Sequence, residues 1–166
     1  MTSIETARLR LRRARPDDLD AIYAIMSDAR AMRYWSTLPH ASITTTEAWF
    51  ARQFFSGDPA RDEWIIEWQG RAIGNVGMSR APEFGFILHP DAWGRGLATE
   101  AAAAFLAHAF ATYPIEAVTA DVDPRNAASL GVLGKLGFVE TGHAERTFLL
   151  GDEWCDSIYL ALPRPR

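Results

Sequence analysis

The chain has 166 residues, 48% of them hydrophobic, with a formal net charge of −4 and a sequence pI near 5.5. That length and apolar content suit one domain with a substantial core and are short for two. The acidic balance argues against a general affinity for nucleic acid or an anionic membrane, both of which need a basic surface. Cys155 is the only cysteine, which excludes an internal disulfide and a cysteine-based zinc site. The N-terminal segment is polar, without an apolar run of signal-peptide or membrane-span length. The expectation is one domain over residues 1–166, cytoplasmic, with no metal.

Ala7 to Arg13 alternates, with Leu9 and Leu11 on one face and Arg8, Arg10 and Arg12 on the other, the period of a half-buried strand. The arginines read as a solvated face. Pro16-Asp17-Asp18 opens a helix, with proline in the first turn and acids at the positive end of the dipole. Leu19, Ile22, Ile25 and Met26 form its apolar stripe, which ends near Asp28. Met32 to Ile43 has little periodicity and reads as a loop or a short helical turn; Thr44 and Glu47 then form a capping box for a second helix carrying Trp49, Phe50, Phe54 and Phe55. Glu63 to Trp68 and Ile73 to Met78 are strands joined by a turn at Gln69-Gly70, and Glu83 to Leu88 completes a meander.

The stretch LHPDAWGRGLATE, from Leu88 to Glu100, carries a strand end, a glycine loop and a helix start in succession. Two glycines let the backbone approach a ligand closely, and the free N–H groups of the following helix point back at the loop, an arrangement that suits a phosphate. Taken alone, the loop is equally a tight turn that needs glycine for geometry. It is not a Walker loop, because Leu97 and Ala98 follow Gly96 in place of Lys-Ser or Lys-Thr. Nor is it a dinucleotide fingerprint, since Thr99 stands where the third glycine belongs. The helix from Ala98 to about Tyr113 buries Leu97, Ala101, Phe105 and Ala109, with Leu106 and Phe110 beside them, and Pro114 stops it. His108 reads as a partly buried surface residue. Ile115 to Val122 is then a strand, and strand, helix and strand in this order imply a parallel crossover. Asn126 caps a helix with Leu130, Leu133 and Leu136, ended by Gly137; a hairpin of Phe138 to Thr147 and Trp154 to Leu162 turns at Gly151-Asp152. Cys155 on that hairpin reads as a packed small residue.

PDAWGRGLATEA, Pro90 to Ala101, resembles motif A of the GCN5-related N-acetyltransferases in the form found in the branch that acetylates ribosomal-protein N-termini. VDPRNAASLGVLGKLGF resembles the same family's motif B, and TARLRLRRARPDDLDAIYAI its opening strand and helix. The resemblance implies a mixed α/β (α+β) domain, its central, mostly antiparallel sheet of about seven strands containing one splayed parallel pair and flanked by about four helices. It implies acetyl-CoA as donor, held by Phe86, Ile87 and Leu88 on the strand, by Trp93, Gly94, Arg95, Gly96, Leu97, Ala98 and Thr99 in the loop, and by Asn126 and Ser129. A strand bulge near Leu88 would aim a main-chain N–H at the acetyl carbonyl, a donor typically worth about 3 kcal/mol.

Transfer requires a free amine, and α-amino and lysine groups have pKa values of about 8 and about 10.4, so a proton acceptor is needed. Asp121, five residues before Asn126 where some N-terminal acetyltransferases of the superfamily carry a glutamate, and Glu83, on the other strand of the implied splayed pair, are the candidates, and Trp35 lies where the acceptor pocket should be. Many members place an acid tyrosine four residues before the Gly-Phe pair; Leu133 stands there, leaving Ser129 as the nearest hydroxyl to help the thiolate leave. The implied reaction is direct acetyl transfer to a primary amine, on a protein N-terminus or a small molecule, with no acetyl-enzyme on Cys155. The alternative is a non-catalytic acyl-CoA sensing module on the same fold. The hairpin is compatible with closing the site or forming a homodimer.

Overall fold

The computed structural model describes residues 2–166. The strands are β1 (Ser3–Glu5), β2 (Leu9–Arg12), β3 (Asp62–Trp68), β4 (Arg71–Arg80), β5 (Glu83–Leu88), β6 (Ala117–Val122), β7 (Val139–Leu150) and β8 (Glu153–Pro163). The helices are α1 (Leu19–Met26), α2 (Ile43–Phe54), α3 (Leu97–Thr112) and α4 (Ala127–Lys135). One sheet has the order β1-β2-β3-β4-β5-β6-β8-β7, and every neighbouring pair is antiparallel except β5 with β6.

Strand alternation divides the core in two. Leu11, Trp64, Val76, Phe84, Leu88 and Val118 share a cluster with Leu97, Ala101 and Phe105 of α3, while Ile65 and Ile87 belong to the other side with Ile22, Ile25 and Met26 of α1 and Phe50 of α2. The small side chains of Ala101, Ala102 and Ala109 are fully enclosed in the first cluster.

The mostly antiparallel sheet with one parallel pair and four helices is as expected; two local expectations are corrected and one short strand is added. Arg12 is buried on the α1 side: it donates to both carboxylate oxygens of Asp18 at 2.7 and 2.8 Å and to Glu67 at 2.6 Å. Burial pushes the Asp18 carboxyl up, but the Arg12 and Arg15 hydrogen bonds outweigh it and hold the group below the usual range. The arginine face is therefore not uniformly solvated. The cap of α2 is Ser42, extended at φ −147°, whose hydroxyl accepts from the Thr45 N–H; Thr44 lies within the first turn. An eighth strand, the three-residue β1, pairs with β2 at the sheet edge.

Candidate functional site

β5 and β6 stay in register at Glu83 and Thr119 alone, where the Thr119 N–H donates to Pro82 O at 3.0 Å; beyond that point the parallel neighbours part. The His89 N–H donates to Ile73 O of β4 at 2.8 Å. Alternation along the strand then turns the N–H groups of Phe86 and Leu88 to the opposite edge, into the gap. The Leu88 carbonyl shares that edge and accepts the Trp93 indole N–H at 3.0 Å. The expected bulge near Leu88 is not present: the β4–β5 register is unbroken from Met78–Phe84 to Gly74–Leu88, and its irregularity lies at the other end, between Met78 and Arg80. Alternation, not a bulge, points these donors to that edge, and the splay leaves them without a strand partner.

After a short turn at Pro90–Ala92 the loop passes through Gly94 (φ 71°) and Gly96 (φ 75°), left-handed conformations that an L side chain adopts only with strain. Gly96 is the N-cap of α3, and the Glu100 N–H makes the bond to Gly96 O at 3.1 Å. The N–H groups of Leu97, Ala98 and Thr99 precede that first helical bond, and a glycine cap has no side chain to satisfy them. Across the gap, Asn126 caps α4 by accepting from the Ser129 N–H at 3.2 Å.

These elements enclose a cleft of about 830 Å³. Phe86, Ile87, Leu88, Trp93, Gly94, Gly96, Leu97, Ala98, Thr99, Asn126, Ser129 and Trp35 all line it, so twelve residues expected at the site are brought together. Arg95 is not among them; its guanidinium lies over the Trp68 ring at 5.4 Å from the centroid. The sequence reading missed Lys135 and Val132, which share the cleft face of α4 with Ser129 at helical spacing, and Arg30, Arg33 and Tyr34 from the loop after α1. The first pair was recoverable from the helical period; the loop residues carry no periodic signal. Arg30 is paired with Asp28 at 2.6 Å and Arg33 with Glu153 at 3.3 Å, so Lys135 is the cleft cation without an ion-pair partner among the described residues, and it stands with the free helix N–H groups in a combination suited to phosphate.

Glu83 and Asp121 do not line the cleft. Both are exposed, and alternation puts them on the sheet face of Ile87, with Asp121 opposite Tyr159 and Glu83 beside Thr119. Gly85 lies on the same face with open space where a side chain would be. Two strands inward on this face is a carboxyl that the sequence did not single out: Glu63 accepts from Gln53 Nε2 at 2.7 Å and Asn75 Nδ2 at 3.1 Å. Burial outweighs both bonds and pushes it up to about 7. Leu133 is buried, and Cys155 is buried within 3.8 Å of Arg125 Nη2. His108 is tied to Asp62 at 2.8 Å. No group of three or more metal-ligating side chains occurs among the described residues.

The sequence matches the family profile described as an acetyltransferase (GNAT) domain over residues 8–139. Among curated relatives, it is 28% identical over 165 residues to the uncharacterized N-acetyltransferase YnaD of Bacillus subtilis (96% of this chain, 95% of that one). It is 24% identical over 160 residues to the spermidine N(1)-acetyltransferase of Escherichia coli K12 (93% and 85%). Among solved structures, the fold is similar to spermidine N-acetyltransferase from Vibrio cholerae in complex with CoA and spermine, with a TM-score of 0.83, 22% identity and coverage of 96% and 97%. It is also similar to the ribosomal-protein-S5-alanine acetyltransferase of Vibrio fischeri, with a TM-score of 0.82, 21% identity and coverage of 99% and 97%. A profile match over most of the chain, on this fold and around this glycine loop, makes the protein a member of the GCN5-related N-acetyltransferase (GNAT) family and an acetyl-CoA-dependent N-acetyltransferase.

Proposed function

We propose that the protein acetylates a small cationic primary amine of the polyamine type. The observation that carries this reading is the separation of charge across the site. Lys135 belongs to the cleft, where Arg30 and Arg33 are each paired with a carboxylate, Asp28 and Glu153, whereas Glu83 and Asp121 stand on the sheet face alongside it with no ion-pair partner among the described residues. A cationic acceptor is drawn to the second surface and repelled from the first. The E. coli relative's action on spermidine agrees with this choice. The ribosomal-protein branch, whose motif A this chain resembles, supports a protein N-terminal amine as the second reading.

Acetyl-CoA supplies the activated acetyl group. Toward it, Gly94, Gly96 and the first N–H groups of α3 would hold the diphosphate, and the N–H groups of Phe86 and Leu88 would bind along the splayed strand and polarise the carbonyl. Asp121, on β6 opposite Tyr159 of β8, is the proposed proton acceptor, acting directly or through water; Glu83, at the closed end of the parallel pair, is the second candidate. With Leu133 buried where many members place a tyrosine, Ser129 is left as hydrogen-bond donor to the departing thiolate.

The test is release of CoA thiol from acetyl-CoA with polyamines, N-terminal peptides, amino acids and aminoglycosides as acceptors. Polyamines are expected to give the highest kcat/KM, reduced at least about tenfold in Asp121→Asn. Release with peptides alone would transfer the assignment to protein N-termini. CoA binding without release to any acceptor class would favour the sensing module.

A further inference from the structure

The glycine loop is held from behind by the segment that leads into β2. Arg8 of the turn leading into β2 donates its main-chain N–H to Glu100 Oε1 at 2.8 Å and its Nε to Glu100 Oε2 at 2.7 Å. Thr6 Oγ1 adds a third bond to Glu100 Oε1 at 2.6 Å. With its head fixed on the first turn of α3, Arg8 donates Nη1 to the carbonyl oxygen of Arg95 at 2.8 Å. Its Nη2 lies 3.5 Å from where a Cβ on Gly96 would be.

The Arg95 carbonyl belongs to the peptide that links it to Gly96. In a trans peptide the C=O and N–H point in opposite directions. Pinning this oxygen onto Arg8 therefore points the Gly96 N–H away from Arg8, and Gly96 is a residue of the cleft wall. The loop needs such a restraint. Gly94 and Gly96 flank the peptide with left-handed dihedrals, and glycine populates other conformations nearly as readily, so a free loop would divide its time among several peptide orientations. Ordering it only when ligand arrives would be paid out of binding free energy.

We infer that Arg8, clamped by Glu100 and Thr6, is a positioning residue that fixes the Arg95–Gly96 peptide with its N–H toward the diphosphate of acetyl-CoA. The inference rests on the reading of the cleft as the acetyl-CoA site. It gives a specific role to a residue that strand periodicity alone assigns to a solvated face, and it makes the N-terminal strand part of the binding apparatus.

Calorimetry with CoA on the full chain tests both layers separately. Wild type that binds no CoA would refute the cleft reading itself. With wild-type binding established, Arg8→Ala is expected to weaken CoA roughly tenfold. Arg10→Ala, which removes a neighbouring surface cation paired with Glu5, is expected to leave affinity unchanged. Arg8→Lys keeps the charge but lacks the planar fork that serves Glu100 and Arg95 together, so it is expected to remain at least about threefold weaker than wild type. In turnover, Arg8→Ala should raise KM for acetyl-CoA with kcat retained, while KM for S-acetylpantetheine, which has no diphosphate, stays as in wild type. A general loss of folding would move both donors alike. Unchanged CoA affinity in Arg8→Ala, full recovery in Arg8→Lys, or equal KM increases for the two donors would each overturn the clamp.

Discussion

At Glu63 the protein keeps a carboxyl inside the sheet's α2 side with two amide donors; among the described residues no cation pairs with it, and Asn75 Oδ1 beside it is buried without a partner. Its folded pKa, pushed up to about 7, lies above the ordinary value of 4.5 for a free glutamate. The folded state therefore binds a proton more tightly than the unfolded one. This group's contribution to stability is complete below the unfolded pKa and is lost as pH rises through the folded one. Glu63→Gln should remove that dependence, since a glutamine oxygen can accept from Gln53 while its NH2 donates to Asn75 Oδ1 once the Asn75 amide, whose Nδ2 now faces Glu63, turns over. Urea unfolding at a series of pH values is expected to show wild type losing about 2 to 3 kcal/mol relative to the variant between about pH 5 and about pH 8. Parallel profiles would mean that Glu63 is ionised in the folded protein throughout. At this scale the sequence was legible where a residue's role is local, as with Asn126 capping α4. It was opaque where the role depends on a distant partner: Arg12 meets Glu67 from another strand, and Arg8 meets Glu100 from α3.

α4 carries two glycines, Gly131 and Gly134, in its interior. Both are exposed, and a Cβ at either would meet nothing within 4 Å, so neither glycine is required by packing or by a left-handed dihedral. Each forgoes helix propensity of up to about 1 kcal/mol against alanine. Gly131→Ala and Gly134→Ala should each raise the thermal midpoint by about 2 to 4 °C, a shift readable by calorimetry. A lowered midpoint would show that the helix needs a glycine for a reason its packing does not reveal. Elements with a clear period were legible in this way: β5 runs from Glu83 to Leu88, as its alternation implies. Starts of elements were less so. Ser42-x-x-Thr45 and Thr44-x-x-Glu47 both have cap spacing, and only the extended backbone at Ser42 decides between them. β1 has three residues, too few to display a period at all.

For the molecule as a whole, the parallel crossover through α3 followed from element order, but the placing of β8 beside β6 with β7 outermost did not, because either strand of a hairpin can dock on a sheet. That choice has a consequence at the cleft mouth. It carries the hairpin turn to the loop after α1, where Glu153 pairs with Arg125 and lies 3.3 Å from Arg33. Tyr34 sits under both guanidiniums, with centroid distances of 4.9 and 5.8 Å. Arg125 in turn holds Asp123 below the ordinary carboxylate range through a hydrogen bond at 2.6 Å. Three segments far apart in sequence thus meet at one exposed carboxylate, and the loop among them contributes Arg33, Tyr34 and Trp35 to the cleft wall. Glu153→Ala should free that loop without disturbing the sheet. In hydrogen exchange, the Met32 and Trp35 amides, bonded to Asp28 and Met32 carbonyls at 3.0 and 3.1 Å, are expected to exchange faster in the variant, with β3 to β5 unchanged. Because the ion pairs are solvent-exposed, about 1 M salt should bring wild type toward the variant. Equal exchange in the two proteins at low salt would show that the loop is held by Trp35 in the α1–α2 core, and not by the hairpin.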